Sequence, residues 1–290
     1  MFKKYLELHF IILLWGVTGV IGKLITIEAI PLVWGRMFVA VVITFIYLKT
    51  KGLNLKISKQ LLLKLFLVGV LIGLHWLAFY HAIKVSNVSI TLVMLSSGAF
   101  FTAIFEPIFY KRPISIRELI FGLLILITLY FIFRVAELNI LGMIYGLIAA
   151  VLSAAFAVFN GLLIREVDAK TLTFYEMLFG LLLVTIFMLK ANFSFDEFLH
   201  LQASDYYWLL LLGSLLTVYP MVASSELMKY LSPYTMMLSI NLEPVYGVII
   251  AYFVFQDSEK MGLSFYLGAL IILFLIVLNT VLDHRNQKNN

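Results

Sequence analysis

The chain has no cysteine, which excludes disulfides and thiolate metal centres. Charge is scarce: Asp, Glu, Lys and Arg make 13% of the 290 residues, against 63% apolar. A soluble domain carries about a quarter charged and about half apolar residues. No Gly-rich phosphate loop and no metal-ligand spacing occurs, so an internal ATP motor and a metal centre are not expected. His9, His75, His81, His200 and His284 form no metal-like pairing. No Ser/His/Asp or paired-carboxylate constellation stands out, which argues against an enzyme. The net charge of +5 comes without a basic–aromatic patch, so nucleic acid is not an expected partner. No cofactor is implied.

Long apolar runs are what the sequence has instead, and lipid is the solvent that accommodates them. Ten segments reach spanning length, over 5–27, 31–49, 61–83, 88–110, 116–134, 140–164, 171–190, 206–228, 232–255 and 262–282. They predict an all-α integral membrane protein of ten helices. The first run lacks a small-residue cleavage site and reads as a helix rather than a signal peptide. The polar insert 191–205, with Phe193, Phe195, Phe198 and Leu199, predicts an interfacial helix lying on the membrane. Placing the N-terminus inside puts 15 of the 21 Lys and Arg on that side and 6 on the other. That bias predicts a multi-pass cell (inner) membrane protein with both termini cytoplasmic.

The halves resemble each other at a nearly constant offset. Gly19 and Lys23 fall on Gly161 and Arg165, Arg36-Met37 on Glu176-Met177, Leu67-Val68-Gly69 on Leu211-Leu212-Gly213, Lys84 on Lys229 and Gly122 on Gly268. Five helices per half forces the second half to enter from the opposite side. The expected architecture is two inverted repeats, residues 1–138 and 139–290, around a central cavity.

Trp15-Gly16 with Lys23, Pro31 followed by Arg36, the stretch Ala82 to Ser89, and Leu242-Glu243-Pro244 together resemble the EamA family of the drug/metabolite transporter superfamily. The resemblance spans the whole chain as two EamA repeats. Gly98-Ala99 stands where the second half has Glu243-Pro244, a departure that makes equal roles for helices four and nine doubtful. The resemblance implies transport of amino acids or other small metabolites, with export favoured. It also implies a cavity lined by helices one, three, four, six, eight and nine.

Glu243 lies near mid-membrane, where a carboxylate is costly and faces a cavity or a partner. It is a candidate for binding substrate or a proton; burial as a structural, neutralised Glu is the competing reading. Pro244 removes a helical N–H and is expected to break helix nine, with Ser239 and Asn241 beside Glu243 as further substrate-binding candidates. Pro107 and Pro220 are expected to kink helices four and eight. Trp15, Trp76 and Tyr80 are candidate substrate contacts, although packing explains membrane aromatics more often. His75 is a candidate proton relay. Arg36 is a candidate carboxylate partner, with snorkelling to the surface favoured. Glu106, Glu176 and Glu226 read as interface charges or ion-pair members.

The expected function is a secondary transporter of small organic solutes working by alternating access, with lipid and the solute as partners. A homodimer stays open. A membrane-embedded enzyme acting on lipid or peptide, or a channel, are the alternatives.

Overall fold

The structure is a computed structural model that describes residues 2–53, 55–135, 139–193 and 195–289. The described residues contain helices and connecting turns and no strand. This follows from the solvent: in hydrocarbon each backbone N–H and C=O needs a partner within its own segment. The helices are α1 (Phe2–Leu24), α2 (Ala29–Thr50), α3 (Lys59–Val85), α4 (Val88–Leu95), α5 (Gly98–Tyr110), α6 (Ile116–Val135), α7 (Ile140–Leu163), α8 (Ala169–Lys190), α9 (Ala203–Gly213), α10 (Tyr219–Leu227), α11 (Pro233–Ile240), α12 (Glu243–Phe255) and α13 (Leu263–Asn289).

Eight helical stretches are long and apolar enough to cross a bilayer. The other two expected spans fall on α6 and α13, which pack on each other. Their contact is built from Ile125, Leu129 and Ile132 against Phe265 and Ile272, a small core set apart from the main one. Apolar side chains such as Ile140, Phe253 and Leu263 point outward at 70–74% exposure, a surface suited to acyl chains and not to water.

Three of the expected spans, the fourth, eighth and ninth, are interrupted. Span four is α4 and α5, parted at Ser96-Ser97; span nine is α11 and α12, parted at Asn241-Leu242. Both have a first half of 8 residues and a second half of 13. Both begin at a side-chain cap: Asn87 Oδ1 accepts from Ile90 N at 2.8 Å and Ser232 Oγ from Thr235 N at 3.1 Å. The first half of each broken helix packs on the second half of the other, α4 on α12 and α11 on α5.

The break in span nine lies in the turn directly before Pro244, the turn from which a proline's missing N–H withdraws the donor for the Ile240 carbonyl. Pro244 sits in the first turn of α12, where a missing N–H costs nothing because that N–H has no intrahelical partner. Span four breaks with no proline at the break, and Pro107 lies inside the uninterrupted α5. Span eight carries a π-turn over Ser214–Val218, and Pro220 follows it in the first turn of α10.

The π-turn explains a detail of the repeat. Leu67 matches Leu211 at an offset of 144, while Lys84 matches Lys229 at 145. A π-turn holds one residue more than an α-turn, and it lies between the two matches. The 191–205 insert is not a helix lying flat: Phe195–His200 is a short 3-10 turn. Its Phe195 and Phe198 rings pack on Trp34, at centroid distances of 5.3 and 5.2 Å.

Candidate functional site: a central cavity between two clamped ends

A cavity of about 70 Å³ lies where both broken helices meet the bundle. Trp15 and Thr18 of α1, Arg36 of α2, His75 and Trp76 of α3, and Glu243 of α12 line it. Met221 and Met228, Met237 and Phe156 supply apolar wall. Span two, through Arg36, belongs to the lining although the resemblance did not imply it.

Arg36 does not snorkel. It is the eighth residue of α2 and is 2% exposed. Its Nε donates to Thr217 Oγ1 at 2.7 Å and its Nη1 to Tyr80 Oη at 2.8 Å. The guanidinium lies 3.6 Å from the Trp76 ring centroid, a stacked cation–π contact that steadies a buried charge. Among the described residues, Nε and Nη1 are the guanidinium atoms seen to donate. Thr217 sits in the π-turn and also donates to the Leu212 carbonyl five residues back, so the extra residue in span eight is what turns this hydroxyl toward Arg36.

Glu243 is the first residue of α12 and is buried. It acts electrostatically on Arg36, and among the described residues no ion pair joins the two. The cavity thus brings one guanidinium and one carboxyl group to the same space without a bond between them. His75 Nδ1 donates to the Ala149 carbonyl at 2.8 Å, which fixes its tautomer and ties α3 to α7.

The remaining candidates separate. Tyr80 acts through Arg36. Ser239 Oγ donates to the Thr235 carbonyl at 2.9 Å and does not line the cavity. Asn241 and Pro244 line a different, largely apolar crevice beside α13, with Ser96. Pro107 and Pro220 stand outside the lining.

Two close approaches hold the cavity floor. A Cβ on Gly16 would lie 3.2 Å from Gly247 N and 3.3 Å from the Glu243 carbonyl oxygen. A Cβ on Gly247 would run into Leu92. Two glycines facing each other let α1 and α12 touch backbone to backbone and bring Trp15 and Glu243 to one wall.

Each broken helix is clamped at its start by a carboxylate from the other half. At the end of the bundle where α1 finishes, Glu259 accepts from Val88 N at 2.9 Å, Ser89 N at 3.0 Å and Ser89 Oγ at 2.6 Å. Lys23 Nζ completes it at 2.9 Å. At the opposite end, Glu106 Oε2 accepts from Tyr234 N at 2.6 Å and Oε1 from Arg112 Nε at 3.1 Å. Arg112 also reaches Glu118 at 2.8 Å. Partial burial works against the Arg112 charge, but the bonds and charges of Glu118 and Glu106 outweigh it and hold its pKa above the usual value. A carboxylate at a helix start meets unpaired N–H groups and the positive end of the helix dipole. Glu106 is therefore an ion-pair member. Glu226 pairs with Lys229 at 2.6 Å. Glu176 differs: it is wholly buried, and neither carboxyl oxygen has a hydrogen-bond partner.

Paired broken helices around a central cavity lined by Arg36 and Glu243 fit a multi-pass membrane protein built as two repeats. The family model of the EamA-like transporter family matches residues 6–134 and 140–281. The chain belongs to that family, one of transporters rather than enzymes. Twenty-eight chains of solved structures are similar to it. One, described as "Crystal structure of protein", has a TM-score of 0.72 at 12% identity, covering 97% of this chain and 98% of its own. That likeness carries the fold. No curated protein matches the chain.

Proposed function

We propose that the chain is a secondary carrier for small zwitterionic solutes, amino acids with apolar side chains above all, working by alternating access. The observation that carries this reading is the pair Arg36 and Glu243 in one cavity, unbonded to each other. A solute carboxylate fits Nη2 of Arg36, and its ammonium fits the Glu243 carboxylate. Trp15, Trp76 and the methionines offer an apolar wall for the side chain.

A carrier must close behind its cargo. The two clamps lie at opposite ends, each joining one repeat to the other, so opening one while the other holds gives two access states. The free volume of about 70 Å³ is below the roughly 300 Å³ at which small-molecule pockets begin, so one end must part for cargo to enter. The family resemblance favours export, and the Lys/Arg bias favours cytoplasmic termini.

The test is counterflow in proteoliposomes with labelled leucine or phenylalanine. Exchange against unlabelled amino acid supports a carrier; flux without exchange supports a channel. Glu243→Gln and Arg36→Gln should each raise the half-saturating concentration about 10- to 100-fold, the loss of one charge-assisted contact of about 1.5–3 kcal/mol. Wild-type transport parameters in both variants would remove the cavity from recognition.

A further inference from the structure

We infer that Glu176 is a proton-binding site of this protein, separate from the central cavity. Glu176 is the eighth residue of α8, as Arg36 is of α2, and the two 22-residue helices correspond residue for residue across the repeat. The fold thus puts opposite charges at mirrored places, at equal depth from opposite ends.

Arg36 has Tyr80 and Thr217 as partners, whereas Glu176 has only the Asn160 side chain as a polar neighbour. Its side chain is 0% exposed and both oxygens lack a hydrogen-bond partner. The Asn160 side chain of α7 acts on the carboxyl as a hydrogen-bonding neighbour, and its own Oδ1 is unpartnered. Thr173, one turn earlier on α8, is buried with a free hydroxyl. So is Ser225 of α10, which the repeat places opposite Tyr80 and whose helix packs on α8.

Among the described residues no cation is seen paired with this carboxyl. On the helices packed against α8, Arg36 is held in the cavity and Lys64 pairs with Glu166 at 2.6 Å. His75 is bonded to Ala149, Lys84 to the Ile25 carbonyl, and Glu226 faces Lys229. A bare carboxylate in such a place costs several kcal/mol. A proton taken from the bulk phase turns COO⁻ into COOH, removes the buried charge and leaves no counter-ion to supply.

The inference rests on the carrier reading for its consequence. When the repeats exchange shapes, the surroundings of Arg36 and Glu176 exchange as well, so Glu176 comes to line the cavity in the other access state and gives up its proton where that cavity opens to water. A proton gradient then drives the cycle.

Two experiments on the full-length protein test it. The first is infrared difference spectroscopy in detergent across a pH titration. A protonated-carboxyl band that titrates in the wild type, is lost in Glu176→Gln and is displaced in Glu176→Asp supports the site. A band unchanged in both variants overturns it. The second is accumulation of labelled solute in proteoliposomes under a pH step of one unit. One proton per solute permits about tenfold accumulation. Glu176→Gln should bring that ratio to one, while Glu176→Asp keeps it above one. Accumulation by Glu176→Gln equal to the wild type, or drive by a sodium gradient in place of pH, overturns the site. If Glu176→Gln does not fold, the displaced band and retained drive of Glu176→Asp decide. The infrared arm needs no cargo, so failure of every solute to cross would sink the carrier reading without touching it.

Discussion

Replacing Glu259 by Gln should open one end of the molecule. The wild-type carboxylate accepts three hydrogen bonds at the start of α4 and one from Lys23. Gln keeps one acceptor oxygen and turns an NH₂ toward donors, so at least one backbone N–H of Val88 or Ser89 loses its partner. A buried donor left unpaired costs about 1–3 kcal/mol. Charge-assisted bonds fall to about half their strength when the charge goes. Lys23 is partly exposed, so its share is discounted for solvent. The sum is about 2–3 kcal/mol taken from the closed state, a shift of about 30- to 150-fold in the open population. The absence of native cysteine provides the assay: Ser153→Cys places the sole thiol in the cavity lining. Reaction with a membrane-impermeant thiol reagent, applied from the side where α1 ends, should accelerate by that factor when Glu259→Gln is added. An unchanged rate, or acceleration from the other side alone, would refute the clamp.

The mirrored change, Arg112→Met, should speed labelling of the same thiol from the opposite side, because Glu106 then holds the start of α11 without its cation. Arg36→Lys keeps charge but cannot serve Tyr80, Thr217 and the Trp76 face together; uptake should fall about tenfold or more, read as initial rate at low solute. Gly16→Val forces α1 from α12 and should cost about 1–3 kcal/mol of overpacking, measured as a lowered Tm in detergent. Thr217→Val removes the hydroxyl on Arg36 Nε, and the half-saturating concentration should rise about 5- to 10-fold for a bond of about 1 kcal/mol; no change would show that the π-turn plays no part in recognition.

Periodicity and apolar length made the helices and the repeat legible in the sequence, since lipid leaves the backbone few choices. Arg36 and Glu243 were legible as isolated charges in apolar runs. Their meeting was not, because it depends on how α2 and α12 cross. Glu259 reads as one acidic residue in a polar turn, and its partners lie 170 and more residues away. Thr217 left one trace, the step in repeat offset from 144 to 145, visible once the inserted residue is known to form a π-turn. Glu176 stood in plain view opposite Arg36 in the repeat. Reading it as an interface charge assumed that a carboxylate near a helix end finds water or a cation, and its packing among α2, α3 and α10 denies it both.

The two interruptions, one with proline and one without, bear on where flexibility is stored. Ser96-Ser97 bends its rod without a proline, the elbow at Asn241-Leu242 stands directly before one, and both lie where the four half-rods cross. Hinges anchored in a crossing move as a coupled pair: relaxing one loosens the seat of the other. In the proposed carrier cycle both elbows are expected to flex in step.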